Sequence, residues 1–329
     1  MNPAKLPSVD LKQLAYFGAV ADHGSISAAA AALDLAQPSL SEHISRLEKR
    51  LEVQLLIRGG HGVQLTEAGV ALAKYAREIL RSVDSAVDDV RHLGGEARGP
   101  VSVGFPPSLG LLLSVPLAET VQIEFPHIRL HIAEAMSGHI LDWIHSARLD
   151  LGCVYYVNES APLSIRPILA ERLFLVTARD NWQGEIGADG RALAPISLAD
   201  LRHLPLVLPS RPHGAREIIE QITKANGVRL NVVTEIDSLP QIISMVDRAS
   251  AYTILPHAAV LNQVAAGKLA IVSIEQPSIR RTAYLIRSRV RAVTRASIAI
   301  ENSMSTIIRE MIERYHLDAT LPTDSITPR

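Results

Sequence analysis

Apolar residues recur at three- and four-residue steps through Leu11, Leu14, Ala15, Phe17, Gly18 and Ala21, the period of a helix with one buried face. Asp10 stands at its N-cap position, and His23-Gly24 ends the pattern. A short alanine-rich helix follows, capped by Ser25 or Ser27, and Asp34-Leu35-Ala36 reads as a turn. The spacing predicts a third helix from Pro38 to Leu51. Leu40, Ile44, Leu47 and Leu51 share one face, leaving Ser39, Ser41, Glu42, Ser45, Arg46 and Lys49 off it. The glycine-rich run from Arg58 to Leu65 predicts a hairpin. From Thr66 to Leu93 a proline-free helix carries Leu72, Ala76, Ile79, Val83, Ala86, Val90 and Leu93 in alternating steps of four and three, a heptad seam. Such a strip packs on its own module or pairs two copies; its length favours pairing.

Gly94-Gly95-Glu96-Ala97-Arg98-Gly99-Pro100 is a hinge by composition, and beyond it strands alternate with helices. Strands are expected at 101–105, 128–132, 149–156, 173–177, 206–209, 231–236, 252–255 and 282–287. Helices are expected at 109–125, 138–146, 215–226, 239–248 and 297–315. The alternation predicts an α/β domain with a largely parallel sheet, in two units around a cleft. Residues 316–329 read as a polar tail.

Three helices and a hairpin in the order of residues 11 to 65 have the layout of a winged helix-turn-helix, which sets its recognition helix in the DNA major groove. The charge balance gives this little help. At 329 residues the formal net charge is −1, and basic and acidic residues also balance within the first 65. DNA affinity must then depend on where the charges sit and on doubling the module. The hydrophobic fraction of 47% fits well-filled cores in two or three domains. Cys153 is the single cysteine, so no internal disulfide can form, which suits a reducing compartment. The first residues have no apolar signal core and no uncharged stretch is long enough to span a bilayer, so a cytoplasmic protein without a membrane partner is expected.

The segments Tyr16 to Ser25, Ala36-Gln37-Pro38-Ser39-Leu40-Ser41, Arg46-Leu47-Glu48 and Leu65-Thr66-Glu67-Ala68-Gly69 together resemble the LysR-type transcriptional regulators. Leu149-Asp150-Leu151-Gly152 and Thr253-Ile254-Leu255-Pro256 extend the resemblance to most of the chain. Leu55-Leu56-Ile57-Arg58 and Thr234-Glu235-Ile236-Asp237-Ser238 look most like the nitrogen-assimilation branch. The resemblance implies a DNA-binding domain over 1–65, a dimerisation helix over 66–94 and a hinge over 95–100. A two-lobed effector domain like the periplasmic binding proteins would follow, with lobe I at 101–170 and 277–315 and lobe II at 171–276. The chain would cross between lobes near Ala170 and Pro277. The implied partners are promoter DNA, a small-molecule effector, further copies in a homotetramer, and RNA polymerase. No cofactor, metal or catalytic residue is implied. Two other readings stay open: a solute-binding receptor, and a regulator that acts by abundance without a ligand.

The expected DNA contacts are Ser27, Gln37, Pro38, Ser39, Ser41, Glu42, Arg46, Arg58 and His61. Gln37 can pair with adenine, Glu42 with a cytosine amino group, and the Pro38 ring with a thymine methyl. Several also have a plain structural role: Pro38 fits a first helical turn, Ser39 can cap, Glu42 favours the positive helix end, and Arg46 can pair with Glu42 one turn earlier. Glu42 and His61 stand where relatives carry more strongly basic residues. The expected effector contacts are Ser108, Leu109, Ser137, Gly138, Ser210, Arg211, Ser238 and Thr253, at or beside strand-to-helix junctions where N–H groups favour anions. Arg211, His213 and Arg216 are candidate partners for a carboxylate. Serines at helix starts are caps as well. His127 and His131 flank a strand about 13 Å long and cannot clasp one metal. Cys153 reads as a small core residue. The arginines from Arg280 to Arg295 read as a solvated face or a subunit contact.

Overall fold

Asp10 opens α1 (Leu11–His23) with a reciprocal capping box: its carboxylate accepts from the Gln13 N–H at 2.7 Å, and the Gln13 side chain accepts from the Asp10 N–H at 3.2 Å. Gly24 closes the helix in the left-handed region at φ 61°. The computed structural model describes residues 9–59, 62–91, 96–157, 162–211 and 213–322. His61, Leu93 and the hinge glycines Gly94 and Gly95 lie outside these residues.

Ser25 caps α2 (Ile26–Ala32), so Ser27 does not. A turn through Asp34, at φ 54°, leads to α3 (Gln37–Leu51). Leu40, Ile44 and Leu47 are fully buried in one core with Phe17, Val20, Ala29 and Ala30, and the two alanines let α2 approach the neighbouring helices closely. The wing is β1 (Leu56–Gly59) paired antiparallel with β2 (Gly62–Leu65). Glu48 ties it to α3 by accepting from the Leu55 and Leu56 N–H groups at 2.8 and 3.1 Å. A Cβ on Gly62 would stand 2.7 Å from the Gly24 carbonyl oxygen, and its φ is +119°, so only glycine suits that seat.

The long helix α4 (Glu67–Arg91) divides along its length. Ala73 and Ala76 are buried and Leu72 half-buried at the end that packs on α1, while Ile79, Val83, Val87 and Val90 are exposed. The heptad seam thus serves the module's own packing in its first turns, and in its later ones Ile79, Val83, Ala86 and Val90 are exposed, with Val87 beside them.

Lobe I begins with β3 (Gly99–Phe105), α5 (Pro107–Glu124), β4 (Ile128–Glu134), α6 (Ser137–His145) and β5 (Leu151–Val154), with β4 and β5 parallel to β3. From it runs β6 (Leu163–Ala178), 16 residues long. Lobe II holds β7 (Ile196–Ser197), β8 (Leu206–Leu208), α7 (Gly214–Ala225), β9 (Val232–Glu235), α8 (Leu239–Asp247), β10 (Thr253–Pro256), α9 (Leu261–Ala265) and β11 (Leu269–Glu275). Then β12 (Ile279–Ser288) returns beside β6, from Ile279 opposite Leu173 to Ser288 opposite Leu163. α10 (Arg295–Tyr315) packs on α5 and β3, and β13 (Ala319–Thr320) pairs with β6.

Three expectations need correction. The sheet is mixed rather than largely parallel, because β6 runs antiparallel to β10, β11, β12 and β13. A chain that crosses between lobes and returns alongside itself must pair in opposite directions. The crossings are therefore paired strands, Thr282 opposite Ala170, and Pro277 lies in the turn that joins β11 to β12. Residues 316–322 are not a polar tail: Leu317 is buried in the lobe I core and Ala319-Thr320 adds a strand. β11 and the first half of β6 have no counterpart in the sequence pattern. Among the described residues no helix is long and apolar enough to cross a membrane. Cys153 is fully buried beside Leu151 and Leu285 in the lobe I core, and burial pushes its thiol pKa up against the opposing charge of Arg166.

Candidate nucleic-acid interface and ligand cleft

The N-cap of α3 is Ala36, which has no side-chain acceptor, so the first N–H groups of this helix are open to an outside partner. Gln37, Pro38 and Ser39 are exposed at this end, and the cap position at Ala36 rules out Ser39 as the cap. Pro38 sits in the first turn, where its missing N–H is no loss. One turn on, Glu42 and Arg46 form an ion pair at 2.5 Å with side chains 63% and 65% exposed. From the wing, Arg58 reaches back across α3 and donates to the Ser41 hydroxyl at 3.1 Å and the Ser45 hydroxyl at 3.3 Å. A guanidinium has five N–H donors, so three remain for a phosphate or a base edge. Ser27 is exposed as the second residue of α2.

Between the lobes lies a cleft with about 620 Å³ of empty space, its open mouth included. Pro106, Met136, Pro209, Leu239, Ile242 and Leu255 give it apolar walls. Pro107, Ser137, Gly214 and Leu239 also line it, and these are the first residues of α5, α6, α7 and α8. Four helix N-termini therefore converge on one space. The N-caps of α5, α6 and α8 make no side-chain hydrogen bond, while α7 is capped by His213, whose Nδ1 accepts from the Ala215 N–H at 3.2 Å.

The charged floor of the cleft comes from the crossing strands. Arg281 on β12 donates through Nε to Glu171 on β6 at 2.8 Å. Its Nη2 donates to the Ser108 hydroxyl at 2.8 Å and to the Tyr155 oxygen at 3.0 Å. Tyr155 in turn donates to Glu171 at 3.0 Å, and the guanidinium lies 3.7 Å from the centre of the Tyr155 ring. Burial works to lower the Arg281 pKa, but Tyr155 and Glu171 outweigh it and keep the cation charged. Burial likewise pushes the Tyr155 phenol up, so it remains a donor. Burial, reinforced by the Arg281 charge and opposed by Asp237, holds His213 below its ordinary value and neutral. With Nδ1 accepting, its proton sits on Nε2 as a donor. At the rim Asp237 is kept a carboxylate by the Ser210 hydroxyl and N–H, at 2.7 and 2.8 Å.

Residues 11–70 match the model of the bacterial regulatory helix-turn-helix protein, lysR family, and residues 94–301 match the LysR substrate binding domain. The chain belongs to the LysR family. It is 28% identical over 311 residues to the nitrogen assimilation regulatory protein nac of Klebsiella aerogenes, covering 94% of this chain and 99% of that one. It shares its fold with a full-length OxyR variant from Pseudomonas aeruginosa, with a TM-score of 0.71 at 23% identity over 92% of this chain and 95% of that one. Full-length CbnR complexed with its target DNA gives a TM-score of 0.62 at 23% identity, over 92% of this chain and 100% of that one.

Within this LysR frame the sequence-expected effector residues part company. Ser108 and Ser137 line the cleft. Leu109 turns into the lobe I core, and Gly138 follows Ser137 one residue further along α6. Ser210 is engaged by Asp237, and Ser238 is the N-cap of α8. Thr253 is fully buried and donates to the Val207 carbonyl at 2.8 Å, a bond inside lobe II. The suggested carboxylate partners are occupied elsewhere. Arg211 makes a two-bond fork with Glu220, and Arg216 is buried between Glu220 and the Pro209 carbonyl. The cleft cation is Arg281, one of the arginines from Arg280 to Arg295 expected on a solvated face or at a subunit contact. Burial on a crossing strand overturns that expectation for it. Tyr155, Glu171 and Arg281 have no local signal in sequence. On the DNA side, His61 lies outside the described residues.

Proposed function

We propose that this LysR-family regulator reads promoter DNA with the start of α3 and the wing arginine. The observation that carries this is the exposed, uncapped helix end at Gln37-Pro38-Ser39 with Arg58 laid beside it on Ser41 and Ser45. Gln37 and Ser41 face base edges, Arg58 and the open N–H groups hold phosphates, and Glu42 selects a cytosine amino group. The solved complex of CbnR with its target DNA supports the assignment, since that chain shares this fold. The exposed strip Ile79, Val83, Val87 and Val90 pairs two α4 helices, and effector domains join two such dimers into a tetramer. The module of α1 to α3 with β1 and β2 is the DNA-binding unit, and α4 (Glu67–Arg91) is the pairing helix. Lobe II is 171–276, and lobe I holds the rest, extended to Thr320 by β13.

The same reading assigns the cleft to a small anion with an apolar body. Its polar groups include donors at Arg281, His213 Nε2 and the start of α6, while the prolines opening α5 and α8 leave one free N–H each, on Ser108 and Leu239, and Asp237 stands at the rim. Glu171 already offsets much of the Arg281 charge, so a monocarboxylate is favoured over a dianion. Such a built cleft supports control by a ligand over control by abundance. The test has two parts. A gel-shift salt titration with the gene's own upstream duplex against a scrambled one must show a preference; equal binding would overturn the DNA reading. A thermal-shift panel of mono- and dicarboxylates on the full chain must favour apolar monoanions, and a response to cations alone would overturn the cleft reading.

A further inference from the structure

Helix α6 has one end in the cleft and the other against the linker helix. Its first residue, Ser137, lines the cleft and accepts from the Tyr155 N–H at 3.2 Å. Just beyond its last turn, the Ser146 carbonyl accepts from Arg77 of α4 at 3.1 Å. The other amino group of the same guanidinium meets the Asp22 carboxylate of α1 at 2.5 Å. One side chain, only 14% exposed, thus holds the DNA-binding module and lobe I at once. One turn along α4, Arg81 donates to Asp150 at 2.5 Å and to the Arg148 carbonyl at 3.1 Å, both in the turn that follows α6. Asp150 is fixed in its turn by the Ser102 N–H and hydroxyl at 2.8 and 2.7 Å.

The helix is short and seated directly on strand backbone. It is nine residues long, about 14 Å at the usual rise, with Ile140 and Ile144 fully buried. Beneath it lie Gly104 and Gly152. A Cβ on Gly152 would come within 2.6 Å of Ile140, so the helix rests on bare backbone of β3 and β5. Packing of that kind permits small shear along the helix axis without tilting.

We propose that α6 carries the state of the cleft to the DNA-binding module, with Arg77 as the joint. This rests on the reading of the cleft as a ligand site. A ligand that bonds the start of α6 draws the helix along its axis and displaces the Ser146 carbonyl. A planar guanidinium cannot follow Ser146 and Asp22 apart, so one of its two bonds yields and the module shifts relative to lobe I, with Arg81 and Glu78 keeping α4 attached. Coupling then exists because the two positions of α6 differ in contacts to the linker.

The test uses the full chain and a duplex that the unaltered protein selects from a random-sequence pool. Two wedges stand in for a ligand: Ser137→Tyr from lobe I and Gly214→Leu from lobe II, where an added Cβ meets only Ser137 and Tyr155 at 3.9 and 4.0 Å. Each wedge is expected to shift the DNA Kd about fivefold or more in the parent background. The shift is expected to vanish in Arg77→Met and in the milder Asp22→Asn, each compared with its own wedge-free background. A wedge effect that persists in both variants overturns the inference and leaves the cleft reading intact. Wedges without effect in the parent background, on protein that still melts cooperatively, overturn the cleft reading and the inference with it.

Discussion

Replacing Glu42 with glutamine tests how α3 meets DNA. In the free protein the Glu42 carboxylate holds Arg46 at 2.5 Å on an exposed face. Exposed pairs of this kind contribute only about 0.2–1 kcal/mol, so the melting temperature is expected to stay nearly unchanged. The effect on DNA is larger. On the proposed docking, the substitution removes one negative charge next to the DNA and frees Arg46 to take a phosphate. Each added phosphate contact on B-DNA steepens the slope of log K against log salt by about 0.9, or about 1.8 for two paired modules. Between 200 and 50 mM salt the variant should then gain about twelvefold in affinity over the parent. Fluorescence anisotropy on the selected duplex across a salt series reads this directly. Repeating the selection reads specificity: a preference for cytosine at one position should relax, by about 1–3 kcal/mol in discrimination. An unchanged slope together with an unchanged selected sequence would show that the second turn of α3 does not lie against DNA.

Three further outcomes follow from the same geometry. Arg281→Met strands the Glu171 carboxylate, 4% exposed, and should cost about 3–5 kcal/mol in urea unfolding; pairing it with Glu171→Gln should recover most of the loss, and a stable single variant would refute the buried ion pair. His257 is held at about 4 by burial first and then by the neighbouring Arg191. Its folded pKa lies below the ordinary 6.5, so the unfolded chain binds the proton more readily. Its contribution is therefore complete above about pH 6.5 and lost as pH falls towards 4, about 3 kcal/mol in all. His257→Gln should flatten that acid limb in pH-dependent denaturation, and an unaltered limb would count against this assignment. Val83→Glu places a charge in the open strip of α4 and should shift sedimentation velocity from dimer or tetramer towards smaller species; no shift would mean that the strip pairs nothing.

How far the sequence can be read depends on how far apart the cooperating residues stand along the chain. Asp10 with Gln13, Gly24, and the Leu40, Ile44, Leu47 face are near-neighbour features, and α1 to α4 lie within a few residues of their expected bounds. The junctions holding Ser108 and Ser137 are local in the same sense, a strand end followed by a helix start. The floor of the cleft is different. Arg281, Glu171, Tyr155 and Ser108 come together only because β6 and β12 cross the lobes side by side, and a strand covered on both faces need not alternate. β6 carries Arg166, Glu171 and Arg172 within its length, which reads as loop until its pairing partners are known. Exposure is hard to read from sequence for the same reason. Arg211 follows a serine in a strand-to-helix loop and has the look of an anion partner, whereas its fork with Glu220 ties it up at the surface. Nothing in sequence sets Arg281 apart from the arginines around it, whereas in the fold Glu171 offsets the cost of its burial. Local pattern locates the rim of such a site, and the crossing strands decide which charge stands at its floor.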